Sequence, residues 1–124
     1  MTEHENIRIS SSTDGDINRL VASFAQHEPS FASLGTPFLV DTETTDALIR
    51  MGAGVVPKLE AALVSDDPKI VMYVAYCLGL IGDDTALPTL QHTRAKYIDR
   101  EPKQQYDFAV ISAINKAEER LLSK

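Results

Sequence analysis

The stretch Ser65–Leu90, SDDPKIVMYVAYCLGLIGDDTALPTL, decides the fold. Asp67-Pro68 reads as a helix start: an Asp side chain accepts a free backbone N–H, and proline fits the first turn, where its own N–H is not needed. Gly82-Asp83 reads as the stop, because glycine accepts the left-handed conformation that follows a helix end. Between them, Ile70 to Ile81 carries no charge. The spacing therefore predicts one helix over Pro68–Ile81, with Gly79 inside it. A helix apolar on every side is normally covered on every side. Ala-Leu-Pro at 86–88 then opens another helix.

Moving outward, the same punctuation repeats. Pro57 and Pro88 are 31 residues apart, Gly52 and Gly82 are 30 apart, and Pro37 and Pro68 are 31 apart. Each proline follows a glycine or polar turn and precedes an apolar-periodic run, so the chain reads as a train of helix hairpins. The pattern predicts helices over Asp16–His27, Thr36 or Thr42 to Met51, Val55–Val64, Pro68–Ile81, Ala86–Arg100 and Pro102–Leu122. Ser30–Gly35 reads as a connection. No stretch alternates as a strand would, and the expected class is all-α. Leu59, Leu63, Ile70, Val74, Leu78, Ile81, Leu87 and Leu90 are the expected core. Residues 1–15, with their polar Ser10–Thr13 cluster, read as a disordered tail, and 16–124 as a single domain.

Composition bounds the function. The chain has 124 residues, 44% of them apolar and 24% charged, enough for one core. Twelve Lys and Arg against eighteen Asp and Glu give a formal charge of −6. That balance argues against nucleic acid and against an anionic membrane surface as partners. One cysteine excludes an internal disulfide framework and a cysteine zinc cage. There is no apolar run of membrane-spanning length and no signal-peptide pattern, so a cytoplasmic location is the expectation.

Ser65–Leu90 resembles a HEAT repeat of the short type found in phycobilisome lyases. Asp67, Pro68, Ala75, Leu78, Gly79, Ile81, Gly82, Asp83, Ala86, Leu87, Pro88 and Leu90 fall on that family's pattern. The match is closest over Asp46–Leu90, extends to Leu122 and fades before Thr36. It implies a short right-handed α-α superhelix of about two and a half to three hairpins. It also implies a non-enzymatic protein-interaction scaffold without a cofactor. The alternative it carries is a bilin lyase or chaperone-like accessory acting on a tetrapyrrole-binding protein. Such a motif specifies fold rather than activity.

One departure from the family marks a candidate contact surface. Where the family carries charge on the outer face of the second helix, this chain has Val71, Met72, Tyr76 and Leu80. Met72, Tyr76 and Leu80 form one stripe at i, i+4 and i+8. Either the chain covers it with Thr36–Val40 or the last helix, or it meets a protein partner or a second copy. Arg94, Lys96, Arg100 and Lys103 gather at the final hairpin turn and form a weaker candidate for an anionic partner. They are interleaved with Asp99 and Glu101, which reads more simply as a mutually paired face.

The remaining chemistry-bearing residues read as structural. Cys77 lies in the last third of an uncharged helix, the wrong end for a depressed thiol pKa, and reads as a small buried hydrophobe. His4, His27 and His92 lack metal-ligand spacing and read as solvated. The doublets Asp66-Asp67 and Asp83-Asp84 fall at helix starts, where capping is their ordinary use. No catalytic or metal-binding set is expected.

Overall fold

The computed structural model describes residues 15–31, 37–39 and 41–123. The expected tail lies outside them except for Gly15, which is already helical. The chain is all-α. Helix α1 covers residues 15–23 and tightens into a 3₁₀ turn, Phe24–Gln26. Then follow α2 (Glu43–Arg50), α3 (Val56–Ala62), α4 (Pro68–Ile81), α5 (Leu87–Asp99) and α6 (Asp107–Leu122). The one departure from helix among the described pairings is two residues deep. Strand β1 (Ser30–Phe31) pairs antiparallel with β2 (Pro37–Phe38), Ser30 opposite Phe38 and Phe31 opposite Pro37.

Helix α4 has the predicted bounds. The Asp67 side chain accepts from the Lys69 N–H at 2.9 Å, Pro68 is the first helical residue, and Gly82 closes the helix at φ 84°. Glycine reaches that angle without steric cost. Helix α2 begins only after Thr42. Thr42 Oγ1 accepts from the Thr45 N–H, and Thr45 Oγ1 accepts from the Thr42 N–H, a reciprocal cap. Of the two predicted starts, Thr36 and Thr42, the second is the one observed: Pro37 goes to the β2 pairing, and the reciprocal cap at Thr42–Thr45 sets the helix start. Helix α3 is shorter than predicted, because Gly52–Val55 forms a 3₁₀ turn ahead of it.

The start of α6 is also corrected, from Pro102 to Asp107. The connection belongs to the end of α5. The Lys103 ammonium reaches back to the carbonyls of Tyr97, Ile98 and Arg100. It satisfies carbonyls that have no partner at a helix C-terminus, where positive charge is also favoured. The Asp107 carboxylate then accepts from the Gln104 N–H at 2.7 Å, and Tyr106 enters the helix at φ 76°.

The core is built around α4. Val71 to Ala75 and Cys77 to Gly79 are buried, with Leu59 of α3 and Leu63 just after it, Leu90 of α5 and Val110, Ile114 and Ala117 of α6 around them. Ile70, Ile81 and Leu87 pack at the margin of this core. Helix α4 contacts α2, α3 and α6, and α5 packs on α6. The α4–α6 crossing is close because Gly79 has no side chain. A Cβ there would lie 2.9 Å from the Ala117 Cα.

Candidate functional site

The stripe on α4 divides in two. Met72 is 0% exposed and belongs to the core, which removes it from any contact surface. Tyr76 and Leu80 are half-buried. The Tyr76 hydroxyl donates to Asp41 Oδ1 at 2.7 Å. Burial first, and then this hydrogen bond to a carboxylate, pushes the Tyr76 hydroxyl up to about 12. Much of the apolar character of this face thus serves the chain itself, through the segment leading into α2 and through α6. Of the expected cover Thr36–Val40, Thr36 and Val40 lie outside the described residues, while Leu39 packs against the core.

Three of the four basic residues, Arg94, Arg100 and Lys103, are engaged within the α5–α6 hairpin. Arg94 Nη1 donates to Glu118 Oε1 at 2.5 Å and to Asn115 Oδ1 at 2.7 Å. Gln91 donates to the other Glu118 oxygen at 2.7 Å. The Arg94 bond, and after it the Gln91 bond, hold the Glu118 carboxyl below its ordinary range. Arg100 lies 3.3 Å from the Asp107 carboxylate and over the Tyr97 ring at 4.5 Å from its centre. Lys103 caps α5. Lys96 alone of the four is exposed. The cluster therefore fixes the α5–α6 hairpin and its turn.

Cys77 is buried, and burial pushes its thiol up to about 12. A thiol held protonated and away from solvent is not a nucleophile at neutral pH. Asp67 and Asp83 each accept the N–H two residues on, from Lys69 and Thr85, which is the capping use expected of the doublets. Among the described residues no group of three His, Cys, Asp or Glu gathers as a metal site, and no helix is long and apolar enough to cross a membrane.

The residue that reading the sequence missed is His27. It is half-buried, not solvated. Its ring stands edge-on to Phe24 and Tyr73, whose own rings stack at 5.0 Å between centres. Nδ1 lies 3.1 Å from the Ser23 carbonyl, so it carries the proton, and Nε2 faces Thr42 Oγ1 at 3.5 Å. The side chain ties the end of α1 to the cap of α2 over α4. The aromatic partners come from positions 24 and 73, and no local spacing announces their meeting.

Two solvent-facing features remain. A shallow groove of about 370 Å³ runs between α1 and α3, lined by Val21, Ala22, Ala61, Ala62 and Val64, with Asn18 and Lys58 beside them. On the C-terminal hairpin, Phe108 and Leu122 of α6 are 63% and 65% exposed, and Ile98 of α5 is 50% exposed. A scan against protein-family models finds no match, and searches of curated proteins and of solved structures find none.

Proposed function

We propose that this chain is a non-enzymatic protein-interaction module, a short right-handed stack of HEAT-like hairpins. The observation that carries the reading is how each hairpin is laid on the one before. Helices α3 and α4 pack together as one hairpin, α5 and α6 as the next, and α6 lies on α4, while α2 packs on α4 from the preceding unit. That order, second helix against second helix, is what supports the stacked reading, in which each unit meets its neighbour. It leaves the outward faces of α5 and α6, with Ile98, Phe108 and Leu122 exposed, for a partner. The internal pairing of Arg94, Arg100 and Lys103 supports a protein surface over an anionic one. The HEAT-like resemblance rests on the residues of Ser65–Leu90.

The test is capture from native lysate by the immobilised chain, followed by reconstitution with the purified protein it retains. A saturable complex of fixed stoichiometry, or saturable self-association, is expected. The reading fails if no protein is retained, the chain does not associate with itself, and it instead shifts the visible absorbance of an added linear tetrapyrrole.

A further inference from the structure

The outward face of α6 carries large exposed apolar side chains among polar ones. Phe108, Ser112, Asn115, Glu119 and Leu122 follow one another at i, i+4, i+7, i+11 and i+14, a single line on the outward side of the helix, exposed except for the half-buried Ser112. The two large apolar side chains stand at its ends, each about two-thirds exposed. They lie seven residues to either side of Asn115, so they are about 21 Å apart along the axis.

We infer that this face binds a second copy of the chain, with the two α6 helices antiparallel about a two-fold axis at Asn115. In such an arrangement any contact of residue i with residue j is repeated as j with i. Phe108 meets the second copy's Leu122, and Leu122 meets its Phe108. Ser112 faces the second copy's Glu119, a hydroxyl donor against a carboxylate acceptor. Asn115 faces its own copy on the axis. Its carbonyl already accepts from Arg94, which leaves its amide N–H groups for the partner. A polar residue at such a central position fixes register.

Two further observations favour a second copy as the occupant. The chain carries a formal charge of −6, so most faces would repel their own copy. The centre of this one is neutral, and its single acid, Glu119, has Lys116 at 3.5 Å. The Phe108 end is also the wider apolar end. The bonds from Gln91 and Arg94 to Glu118 and Asn115 set an antiparallel register in the α5–α6 hairpin. Four residues further along α5 and four back along α6, that register brings the half-exposed Ile98 beside Ile111 and the turn carrying Phe108. The second copy's Leu122 therefore has a shelf of three apolar side chains to sit on. The seam is one helix long, below the roughly 800 Å² per partner of a standard interface, so the dimer is weak and reversible.

This inference rests on the reading of the chain as an interaction module, and the experiment separates the two. Light scattering or sedimentation is run from about 10 μM to about 1 mM, the range in which a weak dimer dissociates. The wild type is expected to rise toward twice the monomer mass. Phe108→Glu and Leu122→Glu should each remain monomeric with unchanged helical circular dichroism, since both positions are exposed. Val64→Glu, an exposed apolar site on another face, should behave as wild type. Register is read by mixing Phe108→Cys chains with Leu122→Cys chains under mild oxidation; the mixture should cross-link faster than either variant alone. A wild type that stays monomeric at about 1 mM, a dimer equally lost in Val64→Glu, or preferential Phe108→Cys self-linking would each overturn the proposal. If the monomeric chain captures another protein, and Phe108→Glu abolishes that capture, the second-copy proposal falls while the interaction-module reading stands.

Discussion

At Gly79 a helix-breaking residue sits inside the best-determined helix of the chain. Alanine would be preferred there by about 1 kcal/mol on propensity alone. The neighbour that an added Cβ would meet is backbone, the Ala117 Cα at 2.9 Å, with the Ala117 Cβ at 3.1 Å. Backbone cannot swing aside as a side-chain tip can, so α6 would have to move off α4. Overpacking of this kind costs about 1–3 kcal/mol. Gly79→Ala is therefore expected to lower the melting temperature; a rise would mean that α6 gives way freely. Two positions back, Cys77 offers a pH test. Its thiol is raised from an ordinary value of 9.0 to about 12. A group whose folded pKa is raised contributes stability that is present below the unfolded value and lost as pH climbs through the folded one. The fold should therefore weaken between about pH 9 and pH 12, and Tyr76, raised from 10.0 to about 12, acts in the same direction. Replacing Cys77 by Ala should flatten part of that alkaline loss, read as the denaturation midpoint against pH. In the native protein at pH 8, Cys77 should react with a thiol reagent only as fast as the chain opens.

Among the elements, those whose ends carry a cap, a proline and a glycine that agree were legible in the sequence, and those whose ends are set by competing side-chain and strand hydrogen bonds were not. Helix α4 carries its cap, its proline and its terminal glycine within sixteen residues, and its bounds followed. Helix α6 begins five residues later than Pro102 suggests, because Lys103 turns back to the carbonyls ending α5 and Asp107 caps the turn. Proline position alone does not encode that competition. The same holds for β2, whose pairing with β1 takes Pro37 out of the helix it was expected to start. Of the candidate contact stripe, the i, i+4, i+8 geometry was readable, but the division between a buried Met72 and a half-buried Tyr76 and Leu80 was not. The basic cluster was legible as charge; its partners Glu118, Asn115 and Asp107 lie on another helix. The Arg94–Glu118 pair can be weighed directly. Both side chains are about four-fifths covered, more than in an exposed pair. A double-mutant cycle of Arg94→Met and Glu118→Gln should give a coupling of about 1 kcal/mol. A coupling near zero would mean that the hairpin is held by its apolar seam alone. Because Glu118 is held below its ordinary range, that coupling is present at neutral pH and fades as the solution is acidified.

For the whole molecule, what matters is that one helix is shared by most of the core, with α5 joined to it through α6. In a long solenoid, stability is roughly a sum of units and their neighbouring interfaces, and cooperativity weakens with length. Here α4 touches α2, α3 and α6 at once, and it supports the Phe24–Tyr73 stack from the α1 end. No unit can be removed without uncovering α4. The chain should therefore unfold in one transition by circular dichroism and calorimetry, with coincident midpoints. The amide hydrogens of α4 from Met72 to Leu78 should exchange slowest, opening only with global unfolding. Leu78 tests the same point by mutation. It is fully buried, and Leu78→Ala should cost about 2–5 kcal/mol, a large share of the 5–15 kcal/mol typical of a whole domain. If α4 is the common support, that loss should appear equally in probes placed on α1 and on α6. A label at the exposed Ala22 of α1 and another at Ser123 after α6 would then report one midpoint. Separate midpoints, with the α6 end surviving while the α1 end melts, would mean that the hairpins stand independently and that α4 is not the shared core.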